Sequence, residues 1–260
     1  MQRLKDRVAI ITGGGTGIGK SIALAYAREG AHTVLVGRRQ PLLDDVAKQV
    51  RATGRKALTI QADASKEPLV KDMVARATKE FGRVDIMVNN AGGAGVVKNT
   101  VDMSLAEFQE VWEQNMISTM LCTREVLKHM IPAKRGIIIN FSSNAAKGGF
   151  PMRSHYSATK AAIIAYTASV AREVGKYNIR VSCIMPGPVM TEALMEGFAA
   201  RAKALGVPTE QIVNERVGLS PMGRMPTSDE CANLAIFLAS DESSFETGQN
   251  YHITGGGITY

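Results

Sequence analysis

Short apolar runs rich in β-branched residues recur along the chain, separated by longer stretches whose apolar positions follow the helical period. The run Val8-Ala9-Ile10-Ile11-Thr12 shows no polar alternation, which marks a strand buried on both faces. Comparable runs at 33–36, 57–60, 85–88, 136–141, 180–185 and 249–253 predict six more strands. Helical patterning fills 18–28, 42–51, 67–81, 104–130, 155–176 and 227–238. Gly30, Gly54 and Gly82 act as stops for the first three helices, and Pro132 for the fourth. Strands that alternate with helices imply βαβ units. The expected fold class is α/β, a doubly wound parallel sheet with helices on both faces. With neither a linker-like segment nor an internal repeat, residues 1–260 read as one domain. The least regular stretch is 188–226, expected to cover a substrate site beyond the strand ends.

Composition narrows the function without choosing it. Hydrophobic residues are 45% and charged residues 21% of the 260, an ordinary globular balance. The net charge of +7 is spread along the chain, and the densest basic cluster, 51–56, has no interleaved aromatics. That pattern argues against nucleic acid and suits a small phosphate-bearing ligand. Cys122, Cys183 and Cys231 lack metal or disulfide spacing, pointing to a reducing, cytoplasmic setting. The N-terminal segment reads as neither a signal nor a transit peptide. No apolar run reaches the ~18 residues of a membrane helix, so no membrane partner is expected.

Thr12-Gly13-Gly14-Gly15-Thr16-Gly17-Ile18-Gly19 joins the first strand to the first helix. Glycines there permit a tight turn, close backbone approach to a pyrophosphate and packing of helix on strand. The helix N-terminus then offers free N–H groups to phosphate. The spacing T-G-x-x-x-G-x-G is not the common G-x-G-x-x-G. Placed between strand and helix, it makes the sheet a Rossmann-like one that binds a dinucleotide. A carboxylate at the end of the second strand would select NAD. Gly37-Arg38-Arg39 stands there instead, and guanidinium groups suit a 2′-phosphate. NADP is therefore favoured, with NAD the alternative.

Tyr156 and Lys160 are four residues apart on a predicted helix, hence on one face. A free tyrosine titrates near ~10. A cation ~4 Å away, at an effective dielectric of ~20, favours phenolate by ~4 kcal/mol before desolvation opposes it. Tyr156 is thus a candidate acid and base. Ser142-Ser143 follows the fifth strand and offers a hydroxyl to a substrate oxygen. Asn115 lies inside a predicted helix, where asparagine is a poor choice. His155 points away from Tyr156 and reads as structural or interfacial.

Together these residues resemble the short-chain dehydrogenase/reductase superfamily in its compact form, over essentially the whole chain. Gly13, Gly17 and Gly19 match its cofactor turn, with Thr16 and Ile18 between them. Asp63, beside Ala64, matches its adenine-contacting aspartate. Asn89-Asn90-Ala91-Gly92 matches its Asn-Asn-Ala-Gly segment. Asn115, Ser143, Tyr156 and Lys160 match its catalytic tetrad. Pro186, Gly187, Val189 and Thr191 resemble its nicotinamide-contacting stretch. The resemblance implies an oxidoreductase that moves hydride between a nicotinamide cofactor and a carbonyl or secondary alcohol. Tyr156 would be the acid/base, and Lys160 would lower its pKa and bind the nicotinamide ribose. Ser143 would orient the substrate oxygen, and Asn115 would support a water linked to Lys160. It also implies a homotetramer that packs long helices across subunits, for which Ala161, Ala162, Ile163 and Ala165 are small and apolar enough. Two positions depart from common family patterns: Thr16 replaces a frequent Arg or Lys, and Thr254 an acidic residue before Gly255-Gly256. The turn and Gly37-Arg38-Arg39 are similar to those of 3-oxoacyl and 2,4-dienoyl-CoA reductases. The alternative is a redox sensor that binds NAD(P) without turnover; an intact tetrad argues against it.

Overall fold

In the computed structural model, which describes residues 2–258, the predicted strands all form, with ends within one residue of expectation. They are β1 (Val8–Thr12), β2 (His32–Gly37), β3 (Ala57–Gln61), β4 (Ile86–Asn89), β5 (Gly136–Phe141), β6 (Ile179–Pro186) and β7 (Asn250–Ile253). Their spatial order is β3-β2-β1-β4-β5-β6-β7, and all pairings are parallel. Successive side chains on a strand face opposite ways. Ile11, Leu35 and Ile139 accordingly enter the core on one face, whereas their neighbours Ile10, Val34 and Ile138 enter the other. Each is fully buried, worth about 1.5–3 kcal/mol apiece.

The first face is covered by α1 (Gly17–Arg28), α2 (Gln40–Ala52) and α10 (Ser228–Ala239), through Ile22, Tyr26, Leu43, Val46 and Ile236. The second is covered by α3 (Glu67–Phe81), α5 (Ser118–Ala133) and α7 (Ser154–Val174), through Met73, Val126, Met130 and Val170. The winding reverses between β1 and β4, so their carboxyl ends leave a crevice there. Buried polar side chains fix the strands beside that crevice. Asn89 Nδ2 donates to Asn140 Oδ1 at 2.8 Å and to Thr123 Oγ1 at 3.0 Å, and Asn140 Nδ2 donates to Thr167 Oγ1 at 2.9 Å.

Four expectations change. The long helix over 104–130 is two helices, α4 (Leu105–Trp112) and α5, joined by a π-helical turn at Glu113–Ile117. Pro132 does not stop α5 but sits in its last turn, one residue before the final Ala133. Its missing N–H forfeits one intrahelical bond, and the helix ends one residue later. The stretch 188–226 is not mainly irregular. It contains α8 (Glu192–Leu205) and α9 (Thr209–Val217), which share a small cluster of Phe198, Ala202, Ile212 and Met225. Finally, Ile163 faces inward against Cys183 and Met185, whereas Ala161 and Ala165 are exposed.

Candidate active site

The crevice begins where β1 ends. Gly13 turns with φ +66°, a conformation costly to other residues. A Cβ on Gly19 would lie 2.2 Å from the Gly13 carbonyl oxygen, so α1 lies directly on the turn. Asn90 fastens this turn to the end of β4. Its side-chain amide donates to Thr12 O at 3.0 Å, and the backbone N–H groups of Asn90 and Ala91 donate to Thr12 Oγ1 at 3.1 Å. Gly19, Asn90 and the core-packed Ile18 thus hold the turn from behind.

Gly13, Thr16, Arg38, Arg39, Asp63, Ala64, Ala91 and Gly92 line a cleft of about 200 Å³. Gly15, Val36, Leu42, Gln114 and Ser118 line it too. The donor set suits a dinucleotide. Thr16 makes no side-chain cap on α1, so N–H groups of that helix face the cleft mouth unsatisfied. Arg38 and Arg39 line the cleft together with the apolar Val36 and Leu42. Burial opposes ionisation of Asp63, but bonds from the Ser65 N–H and hydroxyl and the charges of Arg38 and Lys66 hold its carboxyl below the usual range.

Thr191 closes the other side of the turn, because a Cβ on Gly17 would sit 3.3 Å from its methyl group. Thr191 also caps α8, accepting from Leu194 N at 3.2 Å. Pro186 accepts from Asn144 N at 3.0 Å, and Gly187 N donates to Ile253 O at 2.8 Å. Val189 is buried beside them.

The tetrad converges on the ends of β4 and β5. Ser143 leaves β5 with its hydroxyl accepting from Ala145 N at 3.2 Å. Tyr156 and Lys160 share one face of α7, and the Lys160 ammonium is 5.7 Å from the Tyr156 ring centre. Lys160 is tied to the strand at both ends: its Nζ donates to Phe141 O at 2.9 Å, and its carbonyl accepts from Ser142 Oγ at 2.7 Å. Asn115 is buried inside the π-helical turn, with its amide donating to Gly93 O at 2.8 Å and Val111 O at 2.9 Å. A Cβ on Gly92 would meet Asn115 Oδ1 at 2.3 Å and Lys160 Nζ at 3.5 Å, so a side chain there would intrude on both groups.

Electrostatics depart from the simple Tyr–Lys argument. Burial pushes the Tyr156 phenol above its ordinary value, outweighing the Ser143 hydroxyl and the Arg153 charge that pull it down. Burial also lowers Lys160 to about 8, with Cys183 acting weakly the other way. Desolvation of both partners exceeds their attraction. Near neutral pH the phenol is therefore protonated and ready to donate.

Sequence reasoning missed Gln114 and Ser118 as cleft residues and Ser142 as the anchor of Lys160. Ser142 carried a signal, its adjacency to Ser143. Gln114 and Ser118 carried none, because the π turn sets their direction.

A glycine-rich turn at the switch point of a doubly wound sheet, with a Tyr–Lys–Ser–Asn cluster beside it, is the arrangement of a nicotinamide-dependent oxidoreductase. The short chain dehydrogenase family model matches residues 7–202. A 3-oxoacyl-acyl-carrier-protein reductase of Chlamydia muridarum is 34% identical over 256 residues, covering 97% of this chain and 98% of that protein. The structure of an NAD+-bound xylitol dehydrogenase superposes with a TM-score of 0.93 at 30% identity, covering 98% and 100% of the two chains. That of levodione reductase does so at 0.94 and 32%, covering 99% and 100%. The chain belongs to the short-chain dehydrogenase family and is an oxidoreductase acting on alcohol and carbonyl groups.

Proposed function

We propose that this protein interconverts a ketone and a secondary alcohol with NADP, NAD being the alternative, and that Tyr156 is its acid/base. The convergence of Tyr156, Lys160, Ser143 and Asn115 beside the dinucleotide cleft carries this reading. When bound, the nicotinamide supplies hydride to the substrate carbon or accepts it. Gly13, Thr16 and Gly17 at the head of α1 would hold its phosphates, with Ile18, Gly19 and Asn90 as support. Arg38 and Arg39 would take the 2′-phosphate, and Asp63 with Ala64 the adenine. Ala91, Gly92, Pro186, Gly187, Val189 and Thr191 would frame the nicotinamide end.

During reduction, Ser143 donates a hydrogen bond to the substrate carbonyl oxygen, and Tyr156 Oη transfers its proton to that oxygen as negative charge develops. Lys160, held by Phe141 O, keeps a positive charge beside the resulting phenolate. Asn115 fixes the loop at Gly93 that shapes this corner. Residues 188–226 form the cover over the substrate.

The reading includes a homotetramer in the cytoplasm. Ala158, Ala161 and Ala165 give α7 an exposed stripe of small residues suited to close helix packing, and the three cysteines are buried and unpaired. Light scattering should return four times the chain mass. Among the described residues no helix is long and apolar enough to cross a membrane. No feature of the site favours a sensor without turnover.

Tyr156→Phe is the decisive test. It should lower kcat for ketone reduction by at least ~100-fold, while the NADPH dissociation constant, followed by fluorescence, stays nearly unchanged. Near-normal turnover would overturn the mechanism.

A further inference from the structure

Three arginines lie on the substrate side without carboxylate partners. Arg153 is the residue before α7, three positions ahead of Tyr156. It closes a turn by donating from its N–H to Phe150 O at 3.1 Å, and its carbonyl accepts from Ser157 N at 2.9 Å. Arg216, half-buried on α9, lays its guanidinium 5.9 Å from the centre of the Phe150 ring. Arg201, exposed on α8, adds its charge to that of Arg216. Among the described residues, none of the three forms a salt bridge.

The grouping is unfavourable on its own terms. Burial, then the charges of Arg201 and Arg153, pull Arg216 below its ordinary pKa, and neighbouring Glu215 only partly offsets them. Phe150 N donates to Ser157 Oγ at 3.3 Å, which ties the ring under Arg216 to the turn of α7 that carries Tyr156; the Arg153 charge accordingly acts on the Tyr156 phenol. The start of α7, with no side-chain cap, adds the positive end of a 21-residue helix. Arg38 and Arg39, by contrast, line the dinucleotide cleft. Like charges gathered without counter-ions mark a place prepared for an anion.

We propose that the substrate carries an anionic group, a carboxylate or a phosphate, which Arg216 and Arg153 hold while its carbonyl meets Tyr156. This rests on the reading above and names its substrate class. Guanidinium groups bind either oxyanion through charge-assisted, often bidentate bonds.

The test uses the full chain with NADPH and three matched substrates: an oxo acid, its methyl ester and the coenzyme A thioester of the same chain. Wild type should show kcat/KM at least about tenfold higher for an anionic member than for the ester. In Arg216→Gln that ratio should fall about tenfold, with Arg216→Lys intermediate. Preference for the acid identifies a carboxylate site, and preference for the thioester a phosphate site. A wild-type ratio near one, or a ratio unmoved by Arg216→Gln, overturns the proposal. Calorimetric binding of the acid and the ester to wild type and Arg216→Gln gives a readout without turnover. If no substrate reacts, the enzymatic reading fails. An acid preference in binding that Arg216→Gln removes would still sustain the anion site, and equal binding would overturn it.

Discussion

Gly19 and Gly197 both lie within helices, yet a methyl group means opposite things at the two positions. At Gly19 it would stand 2.2 Å from a backbone oxygen; at Gly197 it meets nothing within 4 Å. The difference extends to the regions around them. The cofactor side is backbone packed on backbone, with strands buried throughout. The segment 188–226, with α8 and α9, has a core of four buried residues and leaves Met190, Leu205, Leu219 and Met222 half or more exposed. On the proposed reading, the cofactor would meet a surface that cannot yield, and the substrate apolar, adaptable side chains.

Gly19→Ala should break the rigid side most severely. It should lower affinity for NADPH by more than ~100-fold, with a stability loss above ~3 kcal/mol, read by fluorescence titration and denaturant unfolding. A mild effect would mean that the turn can yield and the contrast is false.

Lys160→Met comes next and asks what the rigid side sacrifices for chemistry. The unfolded lysine keeps its ordinary pKa of 10.5, and burial lowers the folded value to about 8. Unfolded chains therefore bind the extra proton between those values. The penalty is full below pH 8 and is relieved as pH rises toward 10.5. Lys160→Met should stabilise the protein at pH 7 by up to roughly 3 kcal/mol, flatten the rise in stability between pH 8 and 10.5, and remove turnover. An unaltered pH–stability curve would show that Lys160 is not desolvated in the way described.

A smaller effect is expected of Arg38→Ala, which should weaken NADP by about tenfold through lost charge-assisted bonds and NAD much less. Equal losses for both cofactors would mean that Arg38 is merely solvated. Smallest is Gly197→Ala. An open, exposed mid-helix site should gain ~0.5–1 kcal/mol, with cofactor affinity unchanged. Destabilisation there would show the cover to be packed more tightly than its burial indicates.

The rigid side was the more legible in sequence for the same reason that it is rigid. Runs such as Val8–Thr12 and Gly136–Phe141 are apolar without alternation because both faces are covered, and the glycine spacing reports backbone contact directly. Tyr156 and Lys160 could be paired from helical spacing alone. The direction of the phenol's pKa could not, since it depends on burial that no spacing reveals. The helices α8 and α9 were harder to see. Each buries only one or two residues, and α8 carries Gly197 in its interior. The π turn was invisible, because Glu113-Gln114-Asn115-Met116-Ile117 has ordinary helical composition. Asparagine at 115 signalled only that something was unusual. Its amide and the hydroxyls of Ser118 and Thr119 supply partners to the carbonyls of Val111, Gln114 and Asn115, where the regular ladder is broken.

A regular helix advances each residue by about 100°, and a π turn uses an extra residue to complete a circuit. Helices α4 and α5 are therefore one rod with a residue to spare at its joint, the capping box at Ser104 and Glu107 fixing its start and Asn115 lying in the joint. Deleting any single residue of Glu113–Ile117 would leave a continuous, well-formed helix. α4 and α5 would stay nearly in phase, since the lost residue is the one the π turn absorbs, but the bulge that brings the Asn115 amide to Gly93 O would be gone. The corner of the site is thus encoded in a residue count, to which insertions and deletions are more damaging than most substitutions.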